Sequence, residues 1–264
     1  MRWFPRLAAA ALPFLSSCAA SPEPSWFERI PLEVGQVLIS TTRGWSSADA
    51  SLRRFERTPA GWRQVGRAIP ATVGRHGLGW GIGLHSIPGG GPRKREGDGK
   101  APAGIFRLGP AFGYSRSRPD GCALPYRVAT ERDYFVDDPS SPDYNRWKTI
   151  APREPNDPGR RWRSFERMRR DDGLYEFGIT VEHNMPDAEP ASGSAIFLHV
   201  WSGPGRPTAG CTAMAREDLL DLLRWLRPGA WLVQVPEEWL DATRPLETRT
   251  GGAGPPEPRG AADG

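Results

Sequence analysis

A chain of 264 residues with 38% hydrophobic side chains, 11 Trp and 10 Phe has the apolar mass for one substantial core, which excludes a natively disordered protein. With Gly 31 and Pro 28, and few long runs at helical period, it reads as mainly β with many turns, not as a helical bundle. The formal net charge is +4; if Arg2 and Arg6 leave with an amino-terminal leader, 33 of the 35 basic residues remain against 31 acidic ones, and a balance of +2 implies no nucleic-acid partner.

The amino terminus places Arg2 and Arg6 before the apolar run Leu7 to Leu15, which is too short to span a bilayer and reads as a signal peptide. Leu15-Ser-Ser-Cys18 resembles a bacterial lipobox, in which Cys18 becomes the lipidated first residue. An ordinary signal peptide cleaved near Ala19-Ala20 is the alternative, and export follows from either. Ala19, in place of Asp, resembles the outer-membrane sorting of Gram-negative lipoproteins. The expected organisation is a lipoprotein signal peptide at 1–17, a tether at 18–32, a folded domain at 33–238 and a disordered tail at 239–264.

Within the domain, Gly35 to Thr42 is β-rich, and Ser51 to Arg57 with Gly61 to Arg67 reads as a hairpin around Thr58-Pro-Ala60. Gly83 to Gly104 and Pro139 to Gly159 read as long loops beside the β core, and Asp120-Gly121 places Cys122 at an exposed or half-exposed loop tip. Gly178 to His183 and Ser194 to Val200 are strand candidates, the second apolar enough to be central. Met214 to Arg227 groups Leu219, Leu220, Leu222, Leu223 and Leu226 on one helical face and stops at Pro228-Gly229; Trp231 to Val235 returns as a strand.

The chemistry concentrates near the carboxyl terminus. Cys211, in Pro207-Thr-Ala-Gly-Cys-Thr-Ala213, falls between a small-residue turn and the expected helix start, where unpaired N–H groups lower a thiol pKa. His199 ends the apolar strand ahead of it and is the candidate base, with the amides of Gly210 and Cys211 placed to hold an oxyanion. By spacing alone, a Cys122 to Cys211 disulfide with a buried, backbone-satisfied His199 is an equal reading. A metal site of His183, His199 and Cys211 matches no common zinc spacing.

Several separated stretches nevertheless share one resemblance. Phe197-Leu-His-Val-Trp201 followed by Pro207-Thr-Ala-Gly-Cys211 resembles the signature of L,D-transpeptidase catalytic domains. Arg95 to Phe106, ending Pro-Ala-Gly-Ile-Phe, resembles the family's glycine-rich segment, and Leu124-Pro-Tyr126, Asp143-Tyr-Asn145, Val181 to Asn184 and Gly193 to Phe197 resemble one branch of it. The likeness spans Gly35 to Pro236.

That resemblance implies a β-sandwich-like catalytic domain with one short helix after the nucleophile. It implies that Cys211 forms a thioester with a peptidoglycan stem peptide, releasing D-alanine, that His199 is the base, that the Val200 carbonyl orients the imidazole, and that Gly210 and Cys211 supply oxyanion amides. An amine then resolves the thioester into a cross-link or an anchored protein, or water resolves it as a carboxypeptidase or amidase would. A wall-binding lipoprotein without turnover is the non-catalytic alternative. Thr208, Asn184 and Trp201 are the expected substrate contacts, whereas Glu96, Asp98 and Lys100 read as a solvated turn. No metal or organic cofactor is required, and the expected setting is the periplasm, with a lipid anchor in the outer membrane. Ala209 and Ala213 stand where the family often has His and Arg or Asn, which leaves acceptor choice open.

Overall fold

The computed structural model describes Phe27 and residues 30–240. The expected signal peptide, Cys18 and the segment beyond Leu240 lie outside the described residues.

Thirteen strands and one α-helix follow in chain order. The first run is β1 Gln36–Thr42, β2 Asp49–Thr58, β3 Gly61–Thr72, β4 Leu78–Trp80 and β5 Ala101–Gly113. Short strands β6 Tyr126–Val128, β7 Asp133–Val136, β8 Arg146–Thr149 and β9 Glu166–Arg167 come next. Then come β10 Phe177–Val181, β11 Phe197–Val200, β12 Thr212–Met214, the helix α1 Arg216–Trp225 and β13 Trp231–Pro236. The architecture is the expected mainly β, sandwich-like one with its helix late in the chain.

The large sheet runs β10-β11-β12-β3-β2-β1-β13-β5-β4. The long strand β5 closes it, because Gly104 to Arg107 pair with β13 and Leu108 to Gly113 pair with β10. Alternation then sorts side chains between two faces. Leu38, Leu52, Ile69, Phe106, Leu198 and Leu232 pack with the leucines of α1 into one core. Val37, Ile39, Ile105, Trp231 and Val233, from the intervening positions, pack with Phe27, Trp62, Trp80 and Trp239 into another. Strand β11 is interior, as expected from its apolar run, because it lies between β10 and β12.

Both expected boundaries fall inside this packing. Phe27 and Ile30, placed in the tether by composition, are buried at 2% and 4% exposure, and Phe27 stacks on Trp62 at 5.3 Å. Trp239, placed in the tail, is edge-on to Trp80 at 4.8 Å. Aromatic burial thus extends the domain at both ends.

The stretch Pro139 to Gly159, read as a loop, contains β8, which joins β7 and β9 from either side of it in the small sheet β8-β7-β9. This sheet packs Phe135 onto Phe197 at 5.1 Å, so its role is to cover the outer face of β11. Cys122 is likewise not at an exposed tip. It is 3% exposed and packs among Leu124 and the leucines of α1.

Candidate active site

Strands β11 and β12 are parallel neighbours, with Leu198 opposite Thr212 and His199 opposite Ala213. Because successive side chains alternate, Phe197 and His199 share a face with Ala213 and with Cys211, one step before β12. Burial agrees: Leu198 and Met214 join the helix-side core, whereas Phe197 and Cys211 join an aromatic cluster with Phe112, Phe135 and Tyr175. The helix starts only at Arg216, so Cys211 is not at a helix amino terminus. The small residues after it continue into the sheet, where Ala213 pairs with Thr72 of β3, before α1 begins.

The sulfur is therefore governed by burial, not by a helix dipole. Cys211 Sγ donates to the Ala195 carbonyl at 3.3 Å and accepts the Phe197 N–H at 3.3 Å. Burial pushes its thiol well above the ordinary range and the nearby Glu166 adds to this, while the Phe197 N–H opposes it. The resting group is a neutral thiol. Cys122 is also free, so no disulfide joins the two.

His199 is neutral as well, because burial lowers its pKa to about 4. Its Nδ1 lies 2.7 Å from the Val200 carbonyl oxygen. A carbonyl only accepts, so Nδ1 carries the hydrogen and Nε2 is left with its lone pair. The Tyr175 ring lies edge-on to the imidazole at 5.2 Å and fixes its other side. His199, Cys211, Tyr175 and Trp201 all line one cleft of about 350 Å³. A thiol and a basic imidazole nitrogen opening on one cleft is an arrangement for nucleophilic acyl chemistry.

The YkuD family model, L,D-transpeptidase catalytic domain, matches residues 56–235 of this chain. The chain belongs to the L,D-transpeptidase catalytic-domain family. Among solved structures, the chain is similar to the helical cell shape determining protein Pgp2 from Campylobacter jejuni, with 13% identity and a TM-score of 0.37. That match covers 79% of this chain and 53% of the other, so the chain spans about half of Pgp2's length. No curated protein matches the chain.

Within this L,D-transpeptidase domain the expected substrate contacts divide. Trp201 is half-buried on the cleft wall, its N–H fixed to the Met214 carbonyl at 2.9 Å. Thr208 also borders the cleft, but its hydroxyl donates to the Cys211 carbonyl at 2.6 Å and accepts the Gly210 N–H at 3.1 Å. It closes the turn that carries Cys211, and the Gly210 amide expected to hold an oxyanion is occupied by that hydroxyl. Asn184, expected as a substrate contact, does not line the cleft. It is fully buried; its Nδ2 donates to the carbonyls of Glu189 and Gly193 at 2.9 and 3.0 Å, and its Oδ1 accepts the Glu189 N–H at 2.8 Å. Its φ of 55° is a turn conformation that asparagine tolerates.

The turn read as solvated is structured too. Glu96 Oε2 accepts from the Tyr144 hydroxyl at 2.6 Å and from Ser194 Oγ at 2.7 Å. Asp98 Oδ1 pairs with the buried Lys94 at 2.7 Å. Asn145 holds the neighbouring segment, donating to the carbonyls of His183 and Asn184 and accepting the Ala195 N–H at 3.2 Å. These links anchor the backbone whose Ala195 carbonyl receives the Cys211 thiol. Sequence reading passed over Asp137, Glu166, Arg170 and Tyr175, all of which line the cleft. The paired Tyr and Asn of Asp143-Tyr-Asn145 were the nearest signal to this network.

Proposed function

We propose that this protein is a cysteine acyltransferase that attacks peptidoglycan stem peptides through Cys211. The observation that carries it is the placement of Cys211 and His199 on one face of adjacent parallel strands, opening on one cleft, with the imidazole tautomer set by the Val200 carbonyl. Nε2 of His199 takes the Sγ proton as the sulfur attacks the carbonyl preceding a terminal D-alanine. The Cys211 amide, joined by that of Gly210 once it leaves Thr208, holds the oxyanion. His199 then returns the proton to the departing D-alanine amine, leaving a thioester. An acceptor amine attacks it, loses a proton to His199 and restores the thiol.

Burial of Cys211, which is 6% exposed, limits access of bulk water and supports transfer over hydrolysis. Incubation of purified protein with a tetrapeptide donor and muropeptide mass spectrometry test this. New dimers are expected; shortened monomers alone would reassign the protein as a hydrolase, and unchanged substrate would leave a wall-binding role. The lipobox at Leu15 to Cys18 supports export and an outer-membrane lipid anchor in the periplasm. Cys18→Ser is expected to release the protein from membranes or leave it uncleaved, and a mature amino terminus elsewhere without lipid mass refutes the anchor.

A further inference from the structure

The cleft beside Cys211 carries more charge than acyl transfer by Cys211 and His199 uses. Its cations are Arg75, Lys94, Arg170 and Arg206. Its anions are Glu96, Asp137 and Glu166. Two of the cations are already neutralised by carboxylates outside the cleft, Lys94 by Asp98 at 2.7 Å and Arg170 by Asp172 at 2.9 Å through Nε. Among the described residues Arg75 and Arg206 enter no ion pair, and neither do the three carboxylates.

The unpaired charges of opposite sign belong to different parts of the fold. Arg75 and Arg206 are exposed residues tied to the nucleophile's turn. The Arg75 main-chain N–H donates to the Thr208 carbonyl at 2.9 Å, and Thr72 Oγ1 donates to the Arg206 carbonyl at 2.9 Å. Asp137 follows β7 and Glu166 lies in β9, so both come from the small sheet that covers β11.

Glu96 is held by Tyr144 and Ser194, whereas Asp137 and Glu166 are short of partners. Glu166 accepts from the Tyr175 hydroxyl, and burial, with Asp137 adding, pushes its carboxyl up to about 7. Asp137 Oδ1 is a buried oxygen with no hydrogen-bond partner; burial raises the Asp137 carboxyl, and a hydrogen bond from Ser164 opposes this only in part. A buried carboxylate without a counter-charge is unfavourable, and a cation entering beside it relieves that cost.

We propose that the cleft takes a zwitterionic peptide segment in one orientation, with an ammonium against Asp137 and Glu166 and a carboxylate against Arg75 and Arg206. This deepens the acyl-transfer reading by naming what the cleft recognises on either side of the carbonyl presented to Cys211. It makes the small sheet a specificity element as well as a cover for β11. Opposed charges also exclude the reversed peptide, which would meet like charge at both ends.

Binding is measured by titration calorimetry at pH 8 on Cys211→Ala protein, which cannot form a thioester. The probes are a synthetic tetrapeptide ending in D-alanine with one free side-chain amine and a free carboxyl terminus, its amine-acetylated form and its carboxamide. Each blocked peptide is expected to bind about tenfold or more weakly than the parent, the scale of one lost charge-assisted contact. Asp137→Asn with Glu166→Gln is expected to remove the discrimination against acetylation alone, and Arg75→Gln with Arg206→Gln that against amidation alone. If a double variant does not fold, Asp137→Asn or Arg206→Gln singly gives the same comparison. Equal binding of parent and blocked peptides, retention of both discriminations in the variants, or no binding of the parent at millimolar concentration overturns the proposal. Charge-selective binding together with an active-site protein that forms neither thioester nor product would instead sink the acyl-transfer reading and leave the subsites standing.

Discussion

Nδ1 of His199 lies 2.7 Å from the carbonyl oxygen of Val200, the next residue in the chain, so the hydrogen bond that sets the imidazole tautomer is to main chain and not to a third side chain. The orientation is thus indifferent to what residue 200 carries. Val200→Ala is expected to keep kcat/KM within about twofold, whereas His199→Asn lowers it by about 10²–10⁴-fold, the range for loss of a positioned base. Steady-state turnover of a tetrapeptide donor checks both. A large loss in the alanine variant with an unchanged melting temperature would mean that the Val200 side chain, and not its carbonyl, matters.

The resting thiol gives a second test. With Cys211 raised by burial and His199 lowered to about 4, no thiolate–imidazolium pair exists at neutral pH in the free protein. Alkylation of Cys211 by iodoacetamide is therefore expected to rise by about tenfold per pH unit from pH 6 to 9, tracking the thiolate fraction of a group that titrates above this range. A rate that is flat from pH 6 upward would reveal a preformed ion pair and contradict the neutral resting state.

Much of this site was legible in the sequence because its motifs are local. Phe197 to Trp201 and Pro207 to Cys211 each lie within one strand or turn, and apolar alternation gave β1, the β2–β3 hairpin, β10, β11 and β13 close to their observed positions. Strand β5 begins inside the stretch Gly83 to Gly104 that was read as a loop, and Pro102, Gly104 and Pro110 interrupt its strand pattern. Gly104 is needed there, with φ 138°, because a Cβ would stand 1.8 Å from the His85 ring. The helix-start position given to Cys211 failed because β12 is only three residues long, too short to show a period. Asp137 and Glu166 carried no signal, since only the packing of the small sheet on β11 brings them to the cleft.

Glu166 makes stability depend on pH in a definite direction. Its folded pKa, about 7, is above the ordinary 4.5, so the folded protein holds a proton that the unfolded chain has released between those values. The stability Glu166 contributes is fully present below pH 4.5 and is lost as pH rises through 7. Glu166→Gln keeps an oxygen for the Tyr175 hydroxyl and removes the titration. It is expected to match the parent near pH 4.5 and to exceed it by about 1–3 kcal/mol at pH 8, from the size of the shift. Urea unfolding at the two pH values measures this, and a difference that shrinks with rising pH would contradict it.

Asn184 tests the separation of support from recognition. Its amide makes three hydrogen bonds to the 184–193 loop, which use both of its N–H donors, and the side chain is fully buried. Asn184→Ala is expected to cost about 2–4 kcal/mol in stability, since it strands buried backbone groups. KM for the donor should stay near the parent value wherever the variant is folded. An unchanged denaturation midpoint with a severalfold higher KM would restore Asn184 as a substrate contact.

The last prediction concerns Cys122, the only other free cysteine among the described residues. It is 3% exposed, its N–H is held by the Pro119 carbonyl at 3.0 Å, and its sulfur lies 4.0 Å from the Leu124 carbonyl, a weak contact at best. Its neighbours in the core are the leucines of α1, whereas Cys211 belongs to the aromatic cluster on the other face of β11. Bonding the two would require opening the sheet between them. Cys122 is thus a small apolar packing group, and Cys122→Ala is expected to cost about 1 kcal/mol while leaving acylation and turnover near the parent level. Carbapenem treatment of the native protein should add one acyl mass at Cys211, which lines the cleft, and Cys122 should react with thiol reagents only in denaturant. Peptide mass spectrometry without reductant decides the matter: a dominant Cys122 to Cys211 linkage in protein from its native envelope would mean that the resting fold differs from the one described and that the nucleophile is consumed.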